Sequence, residues 1–279
     1  MPLVATGELV TRAAAAGTGI CAFNVVQLEH AEALVAAAEK ARLPVILQLS
    51  QNTVRYHGGM EPIGLAMLAL ARRSEARVAV HLDHAEDPAL VAEAVALGFG
   101  SVMFDASTLP YAENEAATRE AAELCHRHGV WLEAELGEVG GKDGVHAPGA
   151  RTDPAEAARF VRATGVDALA VAVGSSHAMT TRDAELDFDL IACLRAGLDV
   201  PLVLHGSSGV SDEGLVRGVR AGLTKVNIAT HLNRSFTAVV REVLAAAPAA
   251  TSDPRTYLGP ARDAVADEAA RLLRLLAAP

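Results

Sequence analysis

The chain has 279 residues, of which 51% are hydrophobic and 4% aromatic, and its formal net charge is −10 at pH 7. This composition excludes a disordered protein, and the acidic balance argues against a nucleic-acid-binding protein, which would present a basic face. The length suits one large α/β barrel or two small domains.

The N-terminal segment and the cysteines both favour a cytoplasmic protein. Residues 1–20 contain Glu8 and Arg12 and no sustained apolar run, so we expect no signal peptide. The absence of any run of 18 uncharged apolar residues predicts that the chain has no transmembrane helix and no membrane partner. Three widely spaced cysteines form neither a disulfide framework nor a C-x-x-C metal site, and we expect reduced thiols. These are Cys21, Cys125 and Cys193.

Eight short apolar, β-branched runs alternate with longer Ala-rich helical patterns. The predicted strands cover residues 19–25, 45–50, 78–83, 101–105, 130–136, 167–173, 201–205 and 224–229. Strands that alternate with helices predict βαβ units and a parallel sheet. Eight such units predict an α/β fold, a (β/α)8 TIM barrel in one domain over residues 1–279, with a doubly wound open sheet as the alternative.

Capping residues mark several of the predicted helices. Asp87 and Asp153 are each followed by proline, which places Asp at the N-cap and Pro at the first helical position. Glu156 adds an arrangement like a capping box. Asp253 begins an extra C-terminal helix in the same way. Four glycines follow helical patterns, where a left-handed cap suits glycine, namely Gly98, Gly129, Gly165 and Gly222.

Almost every predicted strand ends in a polar residue. In chain order these are Asn24, Ser50, Asp83, His84, Asp105, Glu133, Glu135, His177, His205 and Asn227. The carboxyl ends of the strands of a TIM barrel open on one face, where active sites lie. An open sheet would not bring all eight ends together, so these residues favour the barrel.

Three of the polar strand ends are histidines, His84, His177 and His205. Three imidazoles around one mouth are typical of a catalytic zinc site that leaves a position open for substrate. A single histidine there is more often an ordinary hydrogen-bonded residue, but three together with Asp83 favour a metal. Six other histidines fall in helical or loop patterns, and we expect them on the surface. They are His30, His57, His126, His128, His146 and His231.

The stretch "HLDHAE" places two candidate site residues, Asp83 and His84, at adjacent positions of one strand. Strict alternation points Asp83 and His84 to opposite faces of the strand. Both reach the mouth only if the strand ends here and the chain turns. His81 shares a strand face with Asp83, and we expect it to support the site rather than bind the metal.

The loops after the seventh and eighth strands predict a phosphate site. "HGSSG" follows strand seven and "NIAT" follows strand eight, the two positions where TIM barrels commonly bind phosphate. Gly206 allows close backbone approach, and Ser207 or Ser208 can donate hydrogen bonds. A helix N-terminus near Thr230 adds a favourable dipole.

Six motifs together resemble the class II, metal-dependent fructose- and tagatose-bisphosphate aldolases. They are "AFNV", "HLDHA", "EAELGEVGG", "VGSSH", "LVLHGSSGV" and "KVNIAT". Their order and spacing agree with that family over nearly the whole chain, and "DPRTYLGPARDAV" resembles its C-terminal helix. Ala229 stands where fructose-bisphosphate aldolases usually carry Asp, so "NIAT" looks more like the tagatose-bisphosphate branch.

The resemblance implies a role for each residue of the mouth. His84, His177 and His205 would ligate one zinc ion per subunit. Asp83 would be the proton donor and acceptor at the hydroxyl next to the broken C–C bond. Glu135 and Asp105 would support the metal region or act as alternative ligands.

The resemblance also implies a substrate-binding set and a second ion. The residues that would contact the substrate or its phosphate are Asn24, Ser50, Ala178, Gly206, Ser207, Ser208, Asn227 and Thr230. A monovalent cation, Na⁺ or K⁺, would lie near the phosphate. Arg255 or Arg262 on the last helix could reach a second phosphate, across a subunit interface. The alternative is that both are ordinary solvated surface side chains.

Two positions depart from the family pattern. After His177 the chain reads Ala178-Met179-Thr180 where the family reads Gly-x-Tyr. The loop at "GGKDG" is one residue shorter than the family's Gly-Gly-x-Glu-Asp and lacks the Glu that abstracts a proton, for which Asp143 could substitute. The Gly-rich segment 137–150 predicts either a lid over the mouth or an ordinary flexible connection.

The resemblance implies a zinc-dependent aldolase that reversibly cleaves a phosphorylated ketose to dihydroxyacetone phosphate and an aldehyde, in a homodimer or homotetramer. Zinc would stabilise the enediolate as a Lewis acid while Asp83 moves the proton. Two alternatives remain. One is a metal-dependent hydrolase or secondary-pathway aldolase on the same barrel, and the other is a non-catalytic phosphosugar-binding relative.

Overall fold

The structure is a computed structural model that describes residues 3–136, 151–175, 182–246 and 251–279. Eight parallel strands close into a barrel in chain order. They are β1 (Ile20–Asn24), β2 (Val45–Ser50), β3 (Val78–Ala85), β4 (Ser101–Phe104), β5 (Trp131–Glu135), β6 (Ala168–Ala170), β7 (Leu202–Leu204) and β8 (Leu223–Ile228). Because β1 pairs with β8, the barrel is confirmed and the open sheet is excluded.

Helices surround the barrel and connect its strands. They are α1 (Thr6–Ala16), α2 (Leu28–Ala41), α3 (Gln51–His57), α4 (Glu61–Arg73), α5 (Pro88–Leu97), α6 (Tyr111–Arg127), α7 (Pro154–Thr164), α8 (Phe188–Gly197), α9 (Asp212–Ala221), α10 (Thr230–Ala246) and α11 (Arg255–Ala277). The extra C-terminal helix is confirmed as α11. No helix within the described ranges is long and apolar enough to cross a membrane.

The predicted caps begin two of these helices. The Asp87 carboxylate accepts a hydrogen bond from the Ala89 N–H at 2.8 Å, and the Asp153 carboxylate accepts one from the Glu156 N–H at 2.8 Å. Each bond satisfies a backbone donor that has no partner within its own helix. The caps therefore fix where α5 and α7 start.

Helix α1 closes the amino-terminal end of the barrel, and the sequence patterns do not predict it. Leu9 and Val10 of α1 pack in one apolar cluster with Ile20 and Ile46, which point into the barrel from β1 and β2. This end of the barrel is therefore a packed apolar floor, as expected for a TIM barrel. The polar residues lie above it, toward the carboxyl ends of the strands.

His30 is buried, so its predicted surface position is wrong. The residue is 3% exposed in α2, and its ring stacks on Phe236 of α10 with ring centroids 4.8 Å apart. Burial lowers the pKa of His30 below its ordinary value, against smaller opposing effects of Glu29 and Asn233. The folded protein therefore favours the neutral imidazole at this position.

We predict that His30 makes the fold sensitive to acid. A group whose pKa is lowered by folding binds fewer protons in the native state, so its contribution to the free energy of unfolding decreases as the pH falls through about 6.5. Urea unfolding at about pH 7.5 and 5.5 measures this contribution as a difference, because the wild type should lose free energy of unfolding relative to His30→Leu between these two pH values. His128→Leu, at an exposed position, is the control, and the same pH dependence in His30→Leu and the wild type would contradict the prediction.

Candidate active site

Strand β3 carries an acid and an imidazole from adjacent positions to the same mouth. The prediction that the strand ends and the chain turns at this point is wrong, because β3 continues to Ala85. Instead, the register with β4 shifts between Leu82 and Ala85, and His84 has a φ of 51°. A left-handed backbone is unfavourable for a residue with a Cβ and is concentrated at functional sites. The resulting bulge lets Asp83 and His84 both line the mouth.

His84 and His205 face each other across the mouth. Nε2 of His84 lies 2.9 Å from Nδ1 of His205. On the outer sides, Nδ1 of His84 lies 2.7 Å from Asp105 Oδ2, and Nε2 of His205 lies 3.1 Å from Glu133 Oε1. Since a carboxylate only accepts hydrogen bonds, each ring carries a hydrogen on the nitrogen next to its acid. The two remaining nitrogens are therefore turned toward each other.

The carboxylates around the histidine pair favour positive charge between the rings. Burial alone would lower the pKa of His84, but Asp83, Asp105 and Glu135 outweigh it and raise the pKa to about 10. Burial would also raise the pKa of Asp105, yet hydrogen bonds from His84 and Ser107 hold it well below its usual range. A proton or a divalent cation can supply the positive charge that the two facing nitrogens require.

The donor atoms fit a zinc-type metal site. Two groups within the described residues bring their ligand atoms within 4.8 Å of one another, and both contain His84. One group adds Asp83 and His205, and the other adds Asp105 and Glu135. Imidazole nitrogens and carboxylate oxygens are the donors that zinc prefers besides thiolate. Either group could therefore hold a metal ion, with His84 as the ligand that the two groups share.

Amide side chains hold Asp83 next to the histidine pair. Asp83 accepts hydrogen bonds from Asn24 Nδ2 at 2.9 Å and from Asn227 Nδ2 at 3.3 Å. Gln48 Nε2 donates to Asn24 Oδ1 at 2.6 Å, which fixes how that amide is oriented. Burial would raise the pKa of Asp83, but the neighbouring His84 and the other positive groups lower it. Asp83 is therefore a buried, ionised carboxylate in a fixed position.

A buried ion pair lies beside the two histidines in the barrel interior. Lys225 Nζ donates to Glu133 Oε2 at 2.7 Å, and both side chains are fully buried. The other oxygen of Glu133 contacts His205. His81 lies 3.5 Å from Lys225 Nζ and bonds to Ser101, and burial holds its pKa well below the ordinary value. Neutral His81 therefore lies behind the lysine, two contacts further from the mouth than Glu133.

Sequence reasoning missed the contacts of Gln48, Glu133 and Lys225. Alternation along the strands was the signal that could have found them, because Glu133 shares a strand face with Glu135 and Lys225 shares one with Asn227. All three are inward-facing polar residues below the strand ends. Which of them pair depends on the register of the closed barrel, which the sequence does not state.

A small cavity of about 30 Å³ opens between the polar strand ends. It is lined by Asn24, Gln48, Asp83, His84, Gly206, Ser207, Ser208, Asn227, Ala229 and Thr230. Gly206 has a φ of 65° and begins the turn that brings Ser207 and Ser208 to the cavity. A larger cavity, of about 250 Å³, lies at the opposite end of the barrel against Leu9 of α1 and Leu273 of α11.

The remaining predicted site residues have different positions. Ser50 caps α3, where its hydroxyl accepts a hydrogen bond from the Thr53 N–H at 3.2 Å. Arg255 is 91% exposed and pairs with Asp253. Among the described residues, neither Ser50 nor Arg255 lines the mouth cavity. The predicted ligand His177, the predicted contacts Ala178 and Asp143, and the predicted lid at 137–150 lie outside the described residues.

A TIM barrel with facing imidazoles and an ionised aspartate at its mouth has the architecture of a barrel enzyme and the side-chain types that can bind a metal ion. The sequence matches the family "fructose-bisphosphate aldolase class-II" over residues 4–278. The chain belongs to this family and is an aldolase, a carbon–carbon lyase. The predicted family is therefore confirmed, and membership favours the aldolase over the hydrolase and the non-catalytic alternatives.

One solved structure supports the same assignment, and a second supports the fold. The chain is similar to the YdjI aldolase from Escherichia coli K12, with a TM-score of 0.84, 30% sequence identity, and coverage of 98% of this chain and 97% of that one. It also resembles fructose-bisphosphate aldolase (Fba) from Campylobacter jejuni, with a TM-score of 0.81, 24% identity, and coverage of 98% and 95%. The second likeness shows the fold alone. The tagatose-bisphosphate branch suggested by "NIAT" stays a prediction.

We predict that Lys225→Met strongly destabilises the protein, because the buried Glu133 carboxylate loses its cationic partner. The free energy of unfolding, measured by urea titration, should fall by about 3–5 kcal/mol. The double variant Lys225→Met/Glu133→Gln removes both charges and should recover part of this loss.

Lys40→Met is the matched control for this prediction. Lys40 pairs with Asp267 on the surface, where the two side chains are 60% and 71% exposed. Its replacement should cost less than about 1 kcal/mol. A loss in Lys225→Met no larger than that in Lys40→Met would show that the buried pair does not stabilise the fold.

Proposed function

We propose that the protein is a zinc-dependent aldolase that reversibly cleaves a phosphorylated ketose to dihydroxyacetone phosphate and an aldehyde. The observation that carries the proposal is the pair of facing nitrogens, His84 Nε2 and His205 Nδ1, 2.9 Å apart beside ionised Asp83. Family membership supports the aldolase reaction. The imidazole nitrogens and carboxylate oxygens grouped around His84 support the proposed zinc site.

His84 and His205 would hold the zinc ion, with His177 as the third ligand. Asp105 and Glu133 orient the two described rings, since each bonds to the ring nitrogen that faces away from the pair. When bound, zinc supplies Lewis-acid stabilisation of the negative charge that develops on the ketone oxygen during cleavage.

Asp83 would accept the proton of the hydroxyl next to the breaking C–C bond, and would return it in the condensation direction. Its lowered pKa keeps the carboxylate ionised and ready to accept. Asn227 would contact the ketone fragment. Its Oδ1 is buried and has no hydrogen-bond partner in the described part of the chain, so a substrate hydroxyl could donate to it.

The phosphate would be bound by Gly206, Ser207, Ser208 and Thr230. All four line the mouth cavity. Helix α10 begins at Thr230, so the positive end of its dipole lies at this cavity. A monovalent cation near the phosphate, a homodimer or homotetramer and a cytoplasmic location stay predictions, as do the roles of Ser50, Ala178, Asp143 and Arg255.

Removal of the metal should abolish the reaction. Protein treated with EDTA and dialysed should cleave none of a panel of ketose monophosphates and bisphosphates, and zinc should restore cleavage of at least one. Coupled detection of the released triose phosphate measures the rate. Zinc-loaded protein that cleaves no member of the panel would contradict the proposed function.

Two variants separate the roles of the acid and the ligand. Asp83→Ala should retain zinc, measured by metal analysis, while turnover falls by about 10²- to 10⁴-fold, the usual contribution of a general acid or base. His84→Ala should lose both zinc and turnover. Loss of zinc from Asp83→Ala would mean that Asp83 binds the metal and does not act as the proposed base.

A further inference from the structure

We infer that His231 is a positioning residue for the substrate phosphate, held in place by a ring of polar and charged contacts that locks the loop after β7 against the start of α10. The inference rests on the proposed function, because it concerns how the same mouth holds its phosphate. The ring runs through Ser208, His231, Glu268, Arg271 and Asp212, and Arg182 joins it at Asp212.

The ring begins at the phosphate loop. The backbone N–H of His231 donates to Ser208 Oγ at 3.1 Å. The next two N–H groups of α10, those of Leu232 and Asn233, both donate to the carbonyl of Ala229. Ser208 Oγ accepts this bond from the helix through a lone pair, so its hydroxyl hydrogen can still be donated into the mouth cavity that it lines.

The His231 side chain connects this helix start to α11. Its Nε2 lies 2.6 Å from Glu268 Oε1. Arg271, one turn further along α11, donates to both oxygens of Glu268 at 2.9 and 2.8 Å. Hydrogen bonding to Arg271 is the main cause that lowers the pKa of Glu268, so this carboxylate is an ionised acceptor for both neighbours.

The ring closes on the loop that carries Ser208. Arg271 Nη1 donates to Asp212 Oδ2 at 2.5 Å, and Asp212 is the first residue of α9, four positions after Ser208. Arg182 donates to Asp212 Oδ1 at 2.6 Å and to the carbonyl of Val210 at 2.9 Å. The segment from 208 to 212 is therefore fastened at both ends, to α10 through Ser208 and to α11 through Asp212.

The space enclosed behind the two serines is filled. A cavity of only about 10 Å³ remains between Ser207, Ser208, His231 and Leu272, which is at the lower limit for one water molecule. The ring is therefore not a ligand site of its own. A phosphate reaches Ser208 only from the mouth, and the ring can act only by setting where Ser208 and the α10 terminus lie.

The solvent exposure of the ring side chains indicates that the ring positions the phosphate site more than it stabilises the fold. The ring side chains on α10 and α11 are between 22% and 42% exposed. Ion pairs at such positions contribute little to the free energy of unfolding. Breaking the ring should therefore change phosphate binding more than it changes stability.

The test compares two ligands that differ only in the phosphate. Isothermal titration of zinc-loaded, full-length protein gives the Kd for dihydroxyacetone phosphate and for dihydroxyacetone. His231→Ala should raise the Kd for dihydroxyacetone phosphate about fivefold, and Arg271→Met about threefold, with the Kd for dihydroxyacetone unchanged. His231→Gln keeps a donor toward Glu268 and should restore binding close to the wild type.

Arg274→Met is the matched control. Arg274 also lies on α11, is exposed, and donates a hydrogen bond to the carbonyl of Lys40, away from the ring. It should leave both Kd values unchanged. The inference would be overturned if His231→Ala and Arg271→Met both bound dihydroxyacetone phosphate with the wild-type Kd. It would also be overturned if the Kd values for both ligands rose equally. Either result would leave the proposed function standing. A wild-type protein that binds no dihydroxyacetone phosphate would overturn the proposed function as well.

Discussion

The mouth of this barrel depends on one left-handed residue, His84, near the end of β3. In a regular strand Asp83 and His84 would point to opposite faces. The bulge turns both toward the mouth, where His84 meets His205 across 2.9 Å. A left-handed backbone at a residue with a Cβ costs on the order of 1–3 kcal/mol. The bond from His84 to the partly buried Asp105 carboxylate offsets part of that cost.

Charge pairing inside the barrel follows from the same geometry. Buried charges are costly unless they are paired, and the interior satisfies this by linking Lys225 to Glu133, Glu133 to His205, and His84 to Asp105. The two acids that compensate the buried positive groups also fix the ring orientations. One set of contacts thus stabilises the fold and turns two nitrogen atoms toward a common point.

Local signals in the sequence were enough to predict the barrel, the caps of α5 and α7, and the end of the barrel that carries the polar residues. Strand alternation, Asp-Pro caps and polar strand ends are short-range patterns, and the barrel closure makes the strand ends converge. The features that the sequence did not reveal depend on long-range packing. The burial of His30 arises where α10 covers α2, and the Glu133–Lys225 pair arises from the closed register. The backbone of His84 depends on the shift between β3 and β4.

The most direct test of the metal centre is anomalous diffraction at the zinc absorption edge from crystals of the zinc-loaded protein. One peak in each chain, contacting Nε2 of His84 and Nδ1 of His205 but not the carboxylate of Asp83, is the predicted result. A zinc ion held by Asp105 and Glu135 without His205, or no peak at the barrel mouth, would contradict it.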